Sequence, residues 1–314
     1  PAEGSAACTF YQALLGSCSY FFIIFVAMKN YRELWEQLTP LYDETEAKAV
    51  VRTVLEVRYG LTLTDILCGK VNDLSAEEGR SLEKIMQRLL QAEPVQYVLG
   101  ETKFVGRRFR VAPGVLIPRP ETEELCTWIV SEQTPTDENP ITILDIGTGS
   151  GCLAVTLSLN IPGAAVSAWD ISQDALRIAN ENAKAWKAPV SLALQDALVA
   201  PKDSMKWDII VSNPPYICPS EAAEMAQNVL KFEPSTALFV PQSDPLLFYK
   251  AIANYAIQAL KPSGKLYIEI NPLYTNELEE MLKNVGFIDI EIRKDAFGKD
   301  RMARATRPCQ TEKS

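Results

Sequence analysis

Apolar positions along the chain recur with two periods. Between Tyr31 and about Gln91 the spacing is helical: Ala47, Val50, Val51, Val54 and Leu55 fall at i, i+3, i+4, i+7 and i+8, and Gly60 closes the run. Ser75 followed by Glu78 is a capping-box signature for a further helix, striped by Leu82, Ile85, Met86, Leu89 and Leu90. From Phe104 to Val111 apolar and polar residues alternate, which predicts a hairpin. Beyond it, short apolar runs alternate with helical ones. Strands are expected at Ile141–Ile146, Ala165–Asp170, Val190–Leu194, Trp207–Ser212, Lys265–Ile270, Ile288–Arg293 and Met302–Thr306. Helices are expected at Glu121–Val130, Cys152–Leu159, Asp174–Trp186, Pro245–Leu260 and Asn276–Val285. This alternation implies an α/β fold: a parallel, doubly wound, Rossmann-like sheet closed by an antiparallel hairpin and preceded by a small all-α domain. The expected divisions are an extension (1–27), a helical substrate-docking module (28–92), a hairpin linker (93–116), the sheet domain (117–307) and a disordered tail (308–314).

Composition narrows the chemistry. The chain of 314 residues is 47% hydrophobic and carries 31 basic against 40 acidic side chains, a net charge of −9, so stable binding to nucleic-acid backbones is not expected. It contains no histidine, which removes the usual general base and the commonest metal ligand; no metal site is expected. The seven cysteines are scattered without a CxxC pair, as in a reducing, cytoplasmic compartment. Residues 13–27 are mostly apolar but shorter than the roughly 18–20 residues needed to cross a bilayer. Met28 reads as the natural start, with no membrane association expected.

Two motifs stand at the ends of predicted strands. The first is Asp145-Ile146-Gly147-Thr148-Gly149-Ser150-Gly151, a strand, a glycine-rich turn and a helix start. Its spacing is G-x-G-x-G, and Cys152 occupies the third glycine position of the dinucleotide fingerprint. A carboxylate at Asp145 suits an ammonium better than a pyrophosphate, and Asp170, at the end of the next strand, is placed for ribose hydroxyls. Together they point to S-adenosylmethionine rather than NAD. Asp196, after the third strand, either reaches the adenine amino group or caps a turn. The second motif, Asn213-Pro214-Pro215-Tyr216, ends an apolar strand with a rigid turn. It offers an amide oxygen, a carbonyl and an aromatic ring, a set that grips a planar –NH2 group; in isolation it reads equally as a tight turn. In Ile117-Pro118-Arg119-Pro120, Arg119 is either a substrate contact or an exposed linker arginine.

These residues resemble the HemK/PrmC glutamine methyltransferases, which modify the Gly-Gly-Gln loop of peptide-chain release factors. The resemblance runs from about Met28 to Arg307. It rests on Pro94-Val95-Gln96-Tyr97 with Gly100, Ile117 to Glu123, the Asp145–Gly151 loop, Asp170, Asn213 to Tyr216, Phe232-Glu233-Pro234 with Ala237-Leu238, and Asp295 with Gly298 to Arg301. Two departures exist: Ala197 and Leu198 follow Asp196 where the family often has an aromatic residue, and residues 1–27 have no counterpart. The resemblance implies a class I methyltransferase with S-adenosylmethionine on Gly147, Thr148, Gly149, Ser150, Gly151 and Asp170, and the reading of the residues adds Asp145, Asp196 and Asn213 to that set. The resemblance also implies glutamine on Asn213, Pro214, Pro215 and Tyr216, with Arg119 nearby and with Asn213, Pro214 and Tyr216 catalytic. A monomer acting on release factors is expected. A ribosomal-protein glutamine methyltransferase shares the motif, and an adenine N6-methyltransferase of nucleic acids presents the same –NH2 group, although such enzymes extrude a base over a basic surface. A non-enzymatic binding protein that keeps the cofactor fold is the remaining class.

Overall fold

The computed structural model describes residues 30–133 and 140–309. The expectations for residues 1–27, for Met28 as a start and for the tail from residue 310 onward lie outside the described residues. The chain divides into two compact units, one ending at Gln87 and one running from Arg88.

The first unit is helical: α1 (Tyr31–Glu36), α2 (Glu44–Tyr59), α3 (Leu63–Leu67) and α4 (Ala76–Leu89), whose last residues enter the second unit. Ala47, Val51, Val54 and Leu55 form the buried stripe of α2, and Gly60 ends it in the left-handed conformation with its N–H bonded back to Glu56. The Ser75–Glu78 capping box opens α4, with the Ser75 N–H donating to Glu78 at 2.8 Å. Leu82, Ile85, Met86 and Leu89 of the predicted stripe are buried. Leu90 instead lies past the end of α4 and is exposed.

The second unit begins with α5 (Val95–Leu99) and a hairpin, β1 (Glu101–Phe104) and β2 (Arg107–Arg110), followed by α6 (Pro120–Ser131). Then come β3 (Thr142–Ile146), α7 (Cys152–Asn160), β4 (Ala165–Asp170), α8 (Gln173–Trp186), β5 (Val190–Leu194) and β6 (Trp207–Ser212). The chain continues through α9 (Gln227–Phe232), α10 (Ser235–Leu238), α11 (Leu247–Ala259), β7 (Leu260–Glu269), α12 (Thr275–Val285), β8 (Ile288–Lys294) and β9 (Asp300–Thr306). Seven strands form one sheet in the order β5-β4-β3-β6-β7-β9-β8, parallel except for β9, which runs antiparallel to both neighbours. β7 starts earlier than its apolar pattern suggests: Leu260 already pairs with Trp207, and the Gly264 turn becomes an irregularity inside the pairing with β6.

Alternation along each strand loads both faces of the sheet. Ile143, Ile209 and Val211 face a layer containing Leu125 and Ile129 of α6 and Leu153 and Leu157 of α7. Leu144, Ile210, Leu266 and Ile268 face α11 and α12 through Ile252, Ala256, Leu278 and Leu282. The 101–110 hairpin does more than link. Its Phe104 and Phe109 are fully buried in the first of these layers, in an edge-on pair, so it belongs to the body of the larger unit.

The start of α7 depends on one glycine. Gly151 has φ +78°, and a Cβ built there would lie 3.0 Å from the Ala179 Cβ of α8. Gly163 has a similar φ of +73° but open space around it. Gly151→Ala therefore combines left-handed strain with overpacking and is expected to cost about 1–3 kcal/mol more than Gly163→Ala in urea unfolding. Equal costs would show that the packing between α7 and α8 is not tight there.

Candidate active site

The sheet brings the motif-bearing strands side by side. Asp145 pairs with Ala168 of β4 and Val211 of β6, and Ile146 pairs with Trp169 and Ser212, so the glycine-rich turn, Asp170 and Asn213 all leave the same edge. The carboxyl ends of parallel strands are where such sheets hold ligands. The turn is pinned from three sides. The N–H groups of Gly147 and Thr148 both donate to the Trp169 carbonyl at 2.9 Å. The Gly149 N–H donates to Asp170 Oδ2 at 2.8 Å. Asn182 on α8, buried, donates to the carbonyls of Ser150 (2.8 Å) and Arg110 (3.0 Å), tying the turn to the hairpin.

A cavity of about 420 Å³ opens over this edge, within the size range of small-molecule sites. Gly147, Gly149, Asp170, Asp196 and Asn213 line it, with Ile171, Leu198 and Phe248 among its apolar walls. The departure at Ala197–Leu198 leaves an aliphatic wall where an aromatic one was the family pattern. Asp170 bridges the Gly149 and Ser172 N–H groups, and burial raises its pKa against those two bonds. Asp196 caps the short turn after β5, its Oδ1 accepting from the Leu198 N–H at 2.8 Å. Asp145 is placed differently from the other acids. It lies beneath the turn, 1% exposed, with Oδ2 accepting from the Thr148 hydroxyl at 2.6 Å, and it is absent from the cavity wall. Burial, with the nearby Asp170 charge adding to it, pushes its pKa up to about 7 against the Thr148 bond. Its Oδ1 and the Ser150 hydroxyl are buried without a hydrogen-bond partner. Two acids on the wall, with a third carboxyl buried behind the turn, give the partly apolar cavity an acidic character. That set fits a cationic nucleoside such as S-adenosylmethionine.

A smaller cleft of about 230 Å³ adjoins it, lined by Arg119, Asn213, Pro214, Tyr216, Val229 and Glu269 among others. Asn213 and Pro214 line both spaces. Pro215 lines only the larger one and Tyr216 only the cleft. The Tyr216 hydroxyl donates to Glu269 Oε1 at 2.9 Å, and the Asn213 Nδ2 donates to the Thr122 hydroxyl at 3.0 Å. Arg119 is half-buried, and its guanidinium donates to Glu233 Oε1 at 2.6 Å. Glu233 is buried and its other oxygen accepts the Ile117 N–H at 3.1 Å, so this pair clamps Ile117–Pro120 against Phe232–Pro234. Sequence reasoning missed Thr122, Glu233 and Glu269. Thr122 and Glu233 sat inside quoted motifs, and Glu269 was a lone acid in an apolar strand, a signal in itself.

Comparison with known proteins gives the family. A family model described as the PrmC N-terminal domain matches residues 32–100, and one described as the methyltransferase small domain matches 128–235. A release factor glutamine methyltransferase of Bacteroides thetaiotaomicron is 46% identical over 273 residues, 87% of this chain and 97% of that protein. Those of Flavobacterium psychrophilum and Streptococcus pneumoniae are each 39% identical, over 88% and 85% of this chain and 98% and 93% of theirs. The chain belongs to the release factor glutamine methyltransferase family. The family resemblance read from the motifs stands, and the fold is that of the class I S-adenosylmethionine-dependent methyltransferases. Among the described residues no helix is long and apolar enough to cross a membrane.

The buried Asp145 carboxyl has a direct consequence for stability. Its folded pKa lies above the unfolded value, so its ionisation opposes folding as pH rises from about 4 to about 7, after which the effect is constant. Asp145→Asn removes that penalty. In urea unfolding of ligand-free protein, the stability of Asp145→Asn relative to the parent is expected to be higher at pH 8 than at pH 5. A pH-independent difference would contradict the raised pKa.

Proposed function

We propose that this protein transfers a methyl group from S-adenosylmethionine to the side-chain amide nitrogen of the glutamine in the Gly-Gly-Gln motif of class-1 release factors. The observation that carries this reading is the junction of two spaces at Asn213 and Pro214: a nucleoside-sized cavity on one side and a side-chain-sized cleft on the other. A residue lining both is in position to hold a nucleophile against a donor.

S-adenosylmethionine supplies an activated sulfonium methyl, so the protein's task is placement and polarisation. Gly147, Thr148, Gly149, Ser150 and Gly151 form the turn that holds its amino-acid end, with the Asp145 carboxyl buried behind it. Asp170 and Asp196 take the ribose and adenine polar groups. In the cleft, the Asn213 Oδ1 and the Pro214 carbonyl accept the two amide N–H protons of the glutamine. These bonds aim the nitrogen toward the larger cavity and stabilise the positive charge that develops on it as the new C–N bond forms. Tyr216, with its hydroxyl tethered to Glu269, covers the amide face, and Pro215 keeps the turn rigid. The methylated nitrogen is strongly acidic and releases its proton to solvent without a strong base, in keeping with a chain that has no histidine. Arg119 is tied to Glu233 and acts by holding the cleft wall. A monomeric, cytoplasmic enzyme is the form this reading implies.

Purified protein incubated with methyl-labelled S-adenosylmethionine and a release factor should label the release factor, and replacing the glutamine of its Gly-Gly-Gln motif should abolish the label. Label on a ribosomal-protein fraction or on DNA would overturn the substrate. Asn213→Ala is expected to lower kcat by about 100-fold. Its S-adenosylhomocysteine affinity, measured by calorimetry, should change by less than about threefold. Equal losses in both would remove Asn213 from the polarising role.

A further inference from the structure

Behind the cleft, four side chains form a hydrogen-bonded chain whose direction is fixed at one end. Glu269, the last residue of β7, is 1% exposed. Its Oε1 accepts from the Tyr216 hydroxyl at 2.9 Å and its Oε2 from the Thr122 hydroxyl at 2.7 Å. A carboxylate only accepts, so the Thr122 proton is committed to Glu269. The Thr122 oxygen can then only accept, and the Asn213 Nδ2 donates to it at 3.0 Å. This fixes which end of the Asn213 amide points inward. Its Oδ1 is left without a hydrogen bond among the described residues, on a residue that lines both cavities. Burial raises the Glu269 pKa; the hydroxyl bonds from Thr122 and Tyr216 and the charge of Arg301, which is ion-paired with the buried Asp295 at 3.2 Å, act against that rise, and Glu121 adds to it.

We propose that Glu269 and Thr122 are positioning residues that set the donor–acceptor polarity of Asn213 and thereby make the cleft select a carboxamide over a carboxylate. The idea rests on the functional reading above and deepens it. The Asn213 Oδ1 and the Pro214 carbonyl are both acceptors, and the Arg119 guanidinium on the same cleft is tied to Glu233. The two acceptors satisfy the N–H protons of glutamine and repel the oxygens of glutamate or of a deamidated substrate. When Glu269 is replaced by glutamine, its amide can donate to Thr122. The Thr122 proton is then free to turn toward Asn213 Oδ1, and the Asn213 amide can reverse. The cleft now presents N–H donors, which suit a carboxylate and disfavour the reactive amide.

The test compares the parent protein with Thr122→Val, Thr122→Ser and Glu269→Gln, using the full chain and a release factor as methyl acceptor. Inhibition is measured with the same release factor carrying glutamate in place of the Gly-Gly-Gln glutamine. Thr122→Val and Glu269→Gln are expected to lower kcat by about 10–100-fold. Affinity for S-adenosylhomocysteine should stay within about threefold, and the preference for the glutamine over the glutamate protein should fall about tenfold or more. Thr122→Ser keeps the hydroxyl and should recover most of both losses. A lower kcat with unchanged glutamine-to-glutamate preference would reduce these residues to structural support and overturn the proposal, as would failure of the serine variant to recover. If the parent labels no release factor, the functional reading fails. The clamp is then judged on the side-chain amide signals of 15N-labelled Asn213: loss of their exchange protection in Thr122→Val upholds it, and unchanged protection overturns it.

Discussion

A buried carboxylate at the end of β7 holds together Thr122 at the start of α6, 147 residues before it, and Tyr216 in the turn after β6, 53 residues before it. Burying such a group is costly unless its oxygens are satisfied. Here a hydroxyl donates to each oxygen, and the Arg301 charge lowers the pKa that burial raises. The arrangement holds only if β6 and β7 stand in register and α6 begins where it does. The site's polarity is therefore a consequence of the sheet's order, and the two proline-flanked motifs, far apart in sequence, meet through one acid.

The nucleoside side of the site uses a different physical device. Glycines with positive φ at 147, 149 and 151 let the chain turn sharply from β3 into α7, and backbone N–H groups spend their bonds on Trp169 and Asp170. No lysine or arginine is among the described residues that line the cavity, and Asp170 and Asp196 give it an acidic character. A cavity of this sign draws in a sulfonium-bearing ligand and discourages polyphosphates, which is the physical distinction from dinucleotide sites built on a similar turn.

An ion pair closes the cleft from the side. Glu233, in the loop between α9 and α10, receives both the Arg119 guanidinium and the Ile117 N–H. Breaking such a pair would strand a buried charge, a cost of several kcal/mol in typical cases. The proline-rich stretch before α6 is thus held as a wall of the cleft, with its arginine engaged in structure.

Much of this was legible in the residues. The periods of the apolar pattern gave the helices of the first unit and the alternation of the second, because burial of one face imposes those periods on any chain that folds. The glycine-rich turn and the Asn-Pro-Pro-Tyr stretch announced themselves because few side chains tolerate those backbone shapes, and the absence of histidine limited the chemistry. The sequence could not say that Asp145 lies under the turn while Asp170 lies on the cavity wall, since both are acids at strand ends and only depth in the sheet separates them. Nor could it say that the hairpin's Phe104 and Phe109 enter the core, that Arg119 is committed to Glu233, or that Thr122 and Glu269 orient Asn213. Those are pairings between residues distant along the chain, and hydrogen-bond direction exists only once folding has brought the partners within 3 Å. Residue type and local spacing determined what chemistry the chain could attempt; the tertiary structure decided which groups face the ligand and which face each other.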